Sequence, residues 1–270
     1  MQKIFWCKTC LAMSTRRRIT FNDQGQCSAC QWKLRKESLN WVKRETQLRE
    51  LLDKHRSSKG EFDCIVPVSG GKDGSYVAYN LKNKYGMNPL CVTVTPPLQL
   101  EIGKQNLTNF INSGFSVITV DPNVKTMQFL NKSGFVDLGF PYYGWLIAIH
   151  SIPVKIALNF GINLIFYGED GEVEYGGSKE THDNYLYDVE YMKKIYLEGG
   201  YEKSIEKAQE TGLKDLELFK FPHKKTSNYS KLKITHWSYF ENWDPYRNYL
   251  ISKKYCGLIE NEESNSGTFT

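Results

Sequence analysis

The run Ser69-Gly70-Gly71-Lys72-Asp73-Gly74-Ser75 constrains the fold of this chain more than any other feature. It follows a β-rich stretch, Phe62 to Val68. It opens a helical one, from about Ser75 to Tyr85, that Gly86 can end. A strand that turns through adjacent glycines into a helix gathers consecutive N–H groups and a positive helix terminus at one spot, which is how backbone holds phosphate. Ser69 and Ser75 add hydroxyl donors and Lys72 a full charge, while Asp73 can hold a magnesium ion that bridges phosphates. The loop is neither G-x-x-x-x-G-K-S/T nor G-x-G-x-x-G. Its bland alternative is a tight strand-to-helix turn.

The α/β rhythm continues. Leu90 to Thr95, Ser116 to Val120 and Asn163 to Tyr167 read as strands. Leu98 to Ser113 reads as a helix stopped by Gly114, and Gly144 to Phe160 as one kinked by Pro153 and ended by Gly161. This alternation implies an α/β fold with a doubly wound parallel sheet, whose ligands sit at the carboxyl ends of the strands. Thr93 and Gly168 join Ser69 to Ser75 there as candidate nucleotide contacts, and Glu169 and Asp170 as candidate acid–base or second magnesium groups. The alternative for these carboxylates, and for Glu172 and Glu174 beyond them, is a solvated acidic turn. His150 sits in an otherwise apolar helix, where a lone histidine is either a satisfied core residue or a catalytic one.

Two cysteine pairs precede this domain. Cys7-Lys8-Thr9-Cys10 and Cys27-Ser28-Ala29-Cys30 form two C-x2-C turns separated by 16 residues, the spacing of a four-thiolate structural zinc site. A closed site of this kind serves folding and docking, not chemistry. Cys64, Cys91 and Cys256 are isolated and read as small core hydrophobes. The expected divisions are a zinc ribbon over 1–36, a connecting helix and linker over 37–60, a nucleotide-binding domain over 61–177 and a substrate-binding, helical extension over 178–270. In the connecting helix, about Ser38 to His55, Trp41, Leu48, Leu51 and Leu52 form one apolar stripe.

Charge divides unevenly. Residues 1–60 carry 14 Lys and Arg against five Asp and Glu, a net of +9, whereas the other 210 carry 21 against 25, a net of −4. The N-terminal part is therefore expected to meet something anionic, or to present a solvated basic face. The longest apolar stretch, Trp145 to Val154, is interrupted by His150 and is too short to span a bilayer. No apolar h-region follows Met1, so no signal peptide is read, the expected location is cytoplasmic and no membrane partner is expected.

SGGKDGS resembles the pyrophosphate loop of the PP-loop ATPases, in which a substrate oxygen attacks the α-phosphate of ATP and pyrophosphate leaves. With the cysteine module, "ITFNDQGQCSAC", "FDCIVPVSGGKDGS", "YYGWLIAIHSIPV" (Tyr142–Val154) and "FYGEDGEVEYGG" (Phe166–Gly177), nearly the whole chain resembles the N-acetyl sugar amidotransferases of that superfamily. The resemblance implies ATP and Mg2+ as reaction partners and a nucleotide-activated diacetamido sugar as substrate. It also implies a partner glutaminase subunit that supplies ammonia, and a role in surface polysaccharide or glycan biosynthesis. Lys72 and Asp73 would serve the departing pyrophosphate, and His182 and Lys179 would lie in a segment that can close over the sugar. The aromatic run from His236 to Trp243 either stacks on a base or sugar or belongs to the core. Family members usually continue beyond the final GTFT, so a C-terminal truncation is expected. The loop also carries one residue between Asp73 and Ser75 where many members have none.

Two other readings remain open. A PP-loop tRNA thiolase pairs similar modules, though sulfur-transfer branches generally need extra cysteines and only Cys64, Cys91 and Cys256 are available; nucleic acid is thus not the expected partner. A non-catalytic nucleotide-binding interaction protein is the third.

Overall fold

The computed structural model describes residues 4–177 and 179–261; the GTFT end lies outside the described residues. Its frame is a five-stranded, wholly parallel sheet in the order β3-β2-β1-β4-β5. The strands are β1 (Cys64–Pro67), β2 (Pro89–Val94), β3 (Ser116–Val120), β4 (Leu164–Tyr167) and β5 (Lys233–His236). β1 is central and pairs with β2 from Cys64↔Pro89 to Pro67↔Val92, and with β4 through Ile65↔Ile165. The expected doubly wound α/β architecture is the one that forms. β5 is the strand the sequence pattern did not mark, because Lys233–His236 offers only four residues beside an aromatic run.

Side-chain alternation along the strands builds the two core layers. Cys64, Val66, Cys91, Leu164 and Phe166 face one side, with Leu48, Leu51 and Leu52 of α2 (Trp41–His55), Val77 and Ala78 of α3 (Lys72–Tyr79) and Phe110 of α4 (Glu101–Asn112). Ile65, Leu90, Val92, Ile165 and Ile234 face the other. They meet Met127 and Leu130 of α5 (Val124–Leu138), Ile147 and Ile152 of α6 (Tyr143–Asn159), Met192 of α8 (Val189–Ile195) and Ile205 of α9 (Tyr201–Glu210). Full burial of each leucine of the α2 stripe is worth about 2 kcal/mol, so that stripe alone anchors α2 to the sheet.

Local chemistry explains the boundaries. Asn40 caps α2 by accepting from the Lys43 N–H at 2.9 Å. α3 starts at Lys72, three residues earlier than its apolar pattern suggests, and its last turn widens into a π-turn over Asn80–Lys84 before Gly86. Pro153 lies inside α6 and has no N–H for the Ile149 carbonyl; the Tyr167 hydroxyl of β4 donates to that carbonyl instead, at 3.2 Å. The second cysteine pair opens a helix, α1 (Ser28–Glu37), where a C-x2-C turn was expected. No helix among the described residues is long and apolar enough to cross a membrane.

Candidate functional site

The sheet order reverses beside β1: β2 and β3 lie to one side, β4 and β5 to the other. The crevice at such a switch point, outside the carboxyl ends of the strands, is where doubly wound folds bind ligands. The glycine loop leaves β1 on one side of it and Gly168-Glu169-Asp170 leaves β4 on the other. A Cβ built on Gly168 would lie 3.4 Å from the Asp73 Cβ and 3.1 Å from the Trp243 ring, so the two loops are in contact.

Gly70 adopts φ +80°, and a Cβ there would lie 2.5 Å from the Leu107 amide nitrogen of α4. Only glycine satisfies both demands. Gly74 lets the first turn of α3 approach the end of β1, since its Cβ would lie 2.9 Å from the Pro67 carbonyl oxygen. Gly71 is ordinary backbone, φ −76°, immediately before α3. The hydroxyl of Ser75 is buried and has no hydrogen-bond partner among the described residues. A buried donor without a partner is costly, and a phosphate oxygen in the loop would satisfy it. Lys72 Nζ lies 3.2 Å from Asp73 Oδ2 at the mouth of the loop, both partly exposed. Thr93 is buried in β2, next to the residue whose carbonyl accepts from the Val68 N–H at the loop entrance (2.8 Å).

The acidic segment divides its labour. Burial raises the Glu169 pKa, and the nearby Glu174 and Asp73 carboxylates raise it further, against Lys72 and Lys36. Glu169 and Asp73 thus form an acidic pair at the crevice that a divalent cation would relieve. Asp170 is buried and committed elsewhere. It caps α7 (Gly171–Glu174) through the Glu172 and Val173 N–H groups at 3.1 and 3.3 Å, and accepts from Thr181 Oγ1 at 3.1 Å and the Tyr196 hydroxyl at 2.9 Å. These bonds occupy both oxygens, which moves the magnesium expectation from Asp170 to Glu169. His150 is likewise enclosed. Its Nδ1 lies 2.8 Å from the Leu146 carbonyl, its ring stacks at 5.6 Å on Tyr167 and 5.9 Å on Tyr196, and burial pushes its pKa down to about 4. It is a neutral core partner behind β4 in this arrangement, not a group at the loop.

The four cysteines come together as their spacing predicts. Their sulfurs all lie within 4.8 Å of one another, with Cys7–Cys30 at 4.0 Å and Cys10–Cys27 at 3.5 Å. A tetrahedron of thiolates at 2.3 Å from zinc has edges of about 3.8 Å, which these separations bracket. Burial opposes ionisation of Cys7, but the Cys10, Cys27 and Thr9 N–H groups bring its pKa down to about 6. Burial and the neighbouring sulfurs push Cys30 up, so the set accepts four negative charges only around a cation.

Part of the basic module's charge is turned inward, while Lys8, Arg16 and Lys33 are exposed. Arg18 pairs with Glu198 (2.7 Å) and Glu172 (2.7 Å), Arg17 with Glu198 (3.1 Å) and Arg35 with Asp183 (2.7 Å), while Lys36 pairs with Glu174. Ser28 Oγ donates to the Gly176 carbonyl at 2.7 Å, and Trp32 Nε1 to Glu174 at 3.2 Å. His182 stacks on Trp32 at 4.2 Å, and its carbonyl accepts from buried Arg44 at 2.7 Å; Lys179 is exposed. Acids elsewhere in the same chain thus meet four of the 14 basic residues behind the charge asymmetry. Trp237 and Phe240 of the aromatic run are core, and Trp243 packs on Gly168. A helix outside the expected elements, α10 (Pro245–Cys256), lies along α3 behind the loop. Its signals were present: Asp244 as N-cap, Pro245 in the first turn and Gly257 just past the end.

No protein-family profile matches the chain. An uncharacterised protein of Methanocaldococcus jannaschii is 31% identical over 104 residues, 38% of this chain and 37% of that protein, so the match spans little more than a third of the relative's length. Among solved structures, the U34-tRNA thiolase NcsA from Methanococcus maripaludis with its 4Fe–4S cluster is similar at 12% identity and a TM-score of 0.42, over 98% of this chain and 77% of that one.

Proposed function

We propose that the chain is an ATP-dependent, AMP-forming enzyme that activates an amide oxygen by adenylylation and replaces it with ammonia. The observation that carries this is the loop itself: a left-handed glycine wedged against α4, an unpartnered buried hydroxyl at Ser75, and Lys72, Asp73 and Glu169 at the mouth. Loop N–H groups and Lys72 would stabilise the charge that develops on pyrophosphate. Asp73 and Glu169 would hold Mg2+. The amide oxygen attacks the α-phosphorus, the bond to the β-phosphate oxygen breaks, and an imidate bearing AMP forms. Ammonia adds to the imidate carbon, AMP departs with the former amide oxygen, and the amidine remains.

The acceptor we infer is the acetamido group of a nucleotide-activated diacetamido sugar. The resemblance of the ordered segments supports it, as does the engagement of Arg17, Arg18, Arg35 and Lys36 in internal ion pairs where an RNA face would leave them free. Ammonia would come from a partner glutaminase. Burial raises the pKa of Cys64, brings that of Cys91 to about 12 and that of Cys256 to about 11, which leaves no activated thiol outside the metal cluster to hydrolyse glutamine. The metal we infer for Cys7, Cys10, Cys27 and Cys30 is zinc, in a folding role.

A tRNA base is the second reading. It is favoured by the placement of the four-thiol module against residues 172–176, next to the crevice. One experiment separates the two: ATP and Mg2+ with ammonium and a panel of acetamido nucleotide sugars, or with bulk tRNA and a sulfur donor, read as pyrophosphate release and product mass. Sugar-dependent pyrophosphate and a product about 1 Da lighter, as NH replacing O requires, supports the amidine reading. Release only with tRNA replaces it with the second. Nucleotide binding without turnover in either arm leaves the non-catalytic reading.

A further inference from the structure

α10 carries three buried residues at four-residue spacing on one face, Asn248, Ser252 and Cys256. Each reaches a different residue at the start of α3. Ser252 Oγ donates to the Lys72 carbonyl at 2.8 Å, Cys256 Sγ lies 3.8 Å from the Ser75 carbonyl oxygen, and Asn248 Nδ2 lies 3.5 Å from Asp73 Oδ1. Polar side chains are not placed at zero exposure, as Asn248 and Ser252 are, unless their bonds matter to what they touch.

The Asn248 amide cannot turn over freely. Arg247 donates to its Oδ1 at 3.2 Å, which aims the Nδ2 group at Asp73. Arg247 is itself held by Glu241 at 2.7 Å, and the same Glu241 oxygen accepts from the Tyr76 hydroxyl at 2.7 Å and Trp237 Nε1 at 3.0 Å. The row Glu241–Arg247–Asn248 therefore ends on Asp73, whose other oxygen faces Lys72 at 3.2 Å.

We propose that Asn248 is a positioning residue that holds the Asp73 carboxylate ready for a divalent cation. Lys72 already pairs with one carboxylate oxygen at 3.2 Å, and without a second contact the side chain is free to turn about that pair. A neutral amide on the far oxygen restrains the side chain without cancelling its charge, so a cation competes with a weak partner and meets a carboxylate already in place. The inference rests on the reading of the loop as a magnesium–nucleotide site.

The test uses the full chain and a fluorescent N-methylanthraniloyl ATP, titrated once in EDTA and once in magnesium. The wild type should bind more tightly with magnesium. Asn248→Leu, which keeps the branched shape and removes the amide, and Arg247→Met, which frees the amide to rotate, should each lose roughly tenfold of that magnesium-dependent gain while the affinity in EDTA stays. A residue that merely supports the fold would move both affinities together. Should Asn248→Leu fail to fold, Arg247→Met decides the question, since Arg247 is one-third exposed. Full retention of the magnesium gain in the folded variants overturns the proposal. A wild type that binds no nucleotide in either buffer sinks the reading of the loop itself, which is a different result.

Discussion

Replacing Gly70 by alanine examines the loop where it is least forgiving. The residue sits at φ +80°, which costs an L-residue about 1–2 kcal/mol. The new methyl would lie 2.5 Å from the Leu107 nitrogen and 2.8 Å from the Asn106 carbonyl carbon, and both are backbone atoms in the middle of α4. Neither can swing away as a side-chain tip can, so overpacking adds about 1–3 kcal/mol. The sum, roughly 2–5 kcal/mol, appears as lost stability if the loop keeps its shape, at about 2 °C per kcal/mol for a chain of this length. If the loop moves off α4, it appears as lost nucleotide affinity, because the N–H groups no longer converge. Gly71→Ala is the control: its φ is −76° and the added methyl meets only the Ser69 hydroxyl, at 3.2 Å. Thermal unfolding and calorimetric titration with ATP are the assays. The expected result is a fall in Tm of roughly 4–10 °C or a large loss of affinity for Gly70→Ala, with Gly71→Ala melting near the wild type. A Gly70→Ala protein with wild-type Tm and wild-type ATP affinity would refute the reasoning.

Three further outcomes are expected. Arg18→Ala removes the bonds to Glu198 and leaves half-buried Glu172 unpaired, so stability should fall by about 1–2 kcal/mol and limited proteolysis should cut within the first 40 residues sooner. The purified chain should contain one zinc ion, and a strong chelator or Cys27→Ser should unfold the module; iron with visible absorbance in place of zinc would contradict the four-thiolate zinc site. His150 stays neutral when folded, with a pKa of about 4 against 6.5 in the open chain, so unfolded chains bind the extra proton in that window and stability falls as pH drops through it. The loss approaches about 3 kcal/mol, and urea unfolding at pH 7 and 4.5 should show it shrinking in His150→Phe.

The loop, the parallel sheet and the cysteine cluster were legible in the sequence because each depends on short-range chemistry: glycine conformations, strand–helix alternation and paired thiols at fixed spacing. What was hidden depends on long-range contact. The basic residues of the first 60 looked like a surface for a foreign anion, and only the fold reveals Glu172, Glu174, Asp183 and Glu198 opposite them. Asp170 and Glu169 are neighbours in sequence with equal apparent claims to a metal, yet one turn of backbone sends Asp170 under a helix cap and leaves Glu169 at the crevice. Asn248 carries no signal at all in the sequence, since nothing in Asp244–Gly257 says which face of α10 meets the loop.

The ten residues from Gly168 to Gly177 touch the glycine loop at one end and the cysteine module at the other. The module accordingly acts as the counter-charge of this segment. Stripped of the first 60 residues, the remaining chain would carry a net of −4, with Glu172, Glu174, Asp183 and Glu198 bare on one flank of a crevice that already holds Asp73 and Glu169. Such a field would repel the polyanion the loop is shaped to receive, and more strongly at low ionic strength. A metal held by the four thiols would, by keeping the basic residues folded against these acids, lower that barrier for any anionic ligand of the crevice.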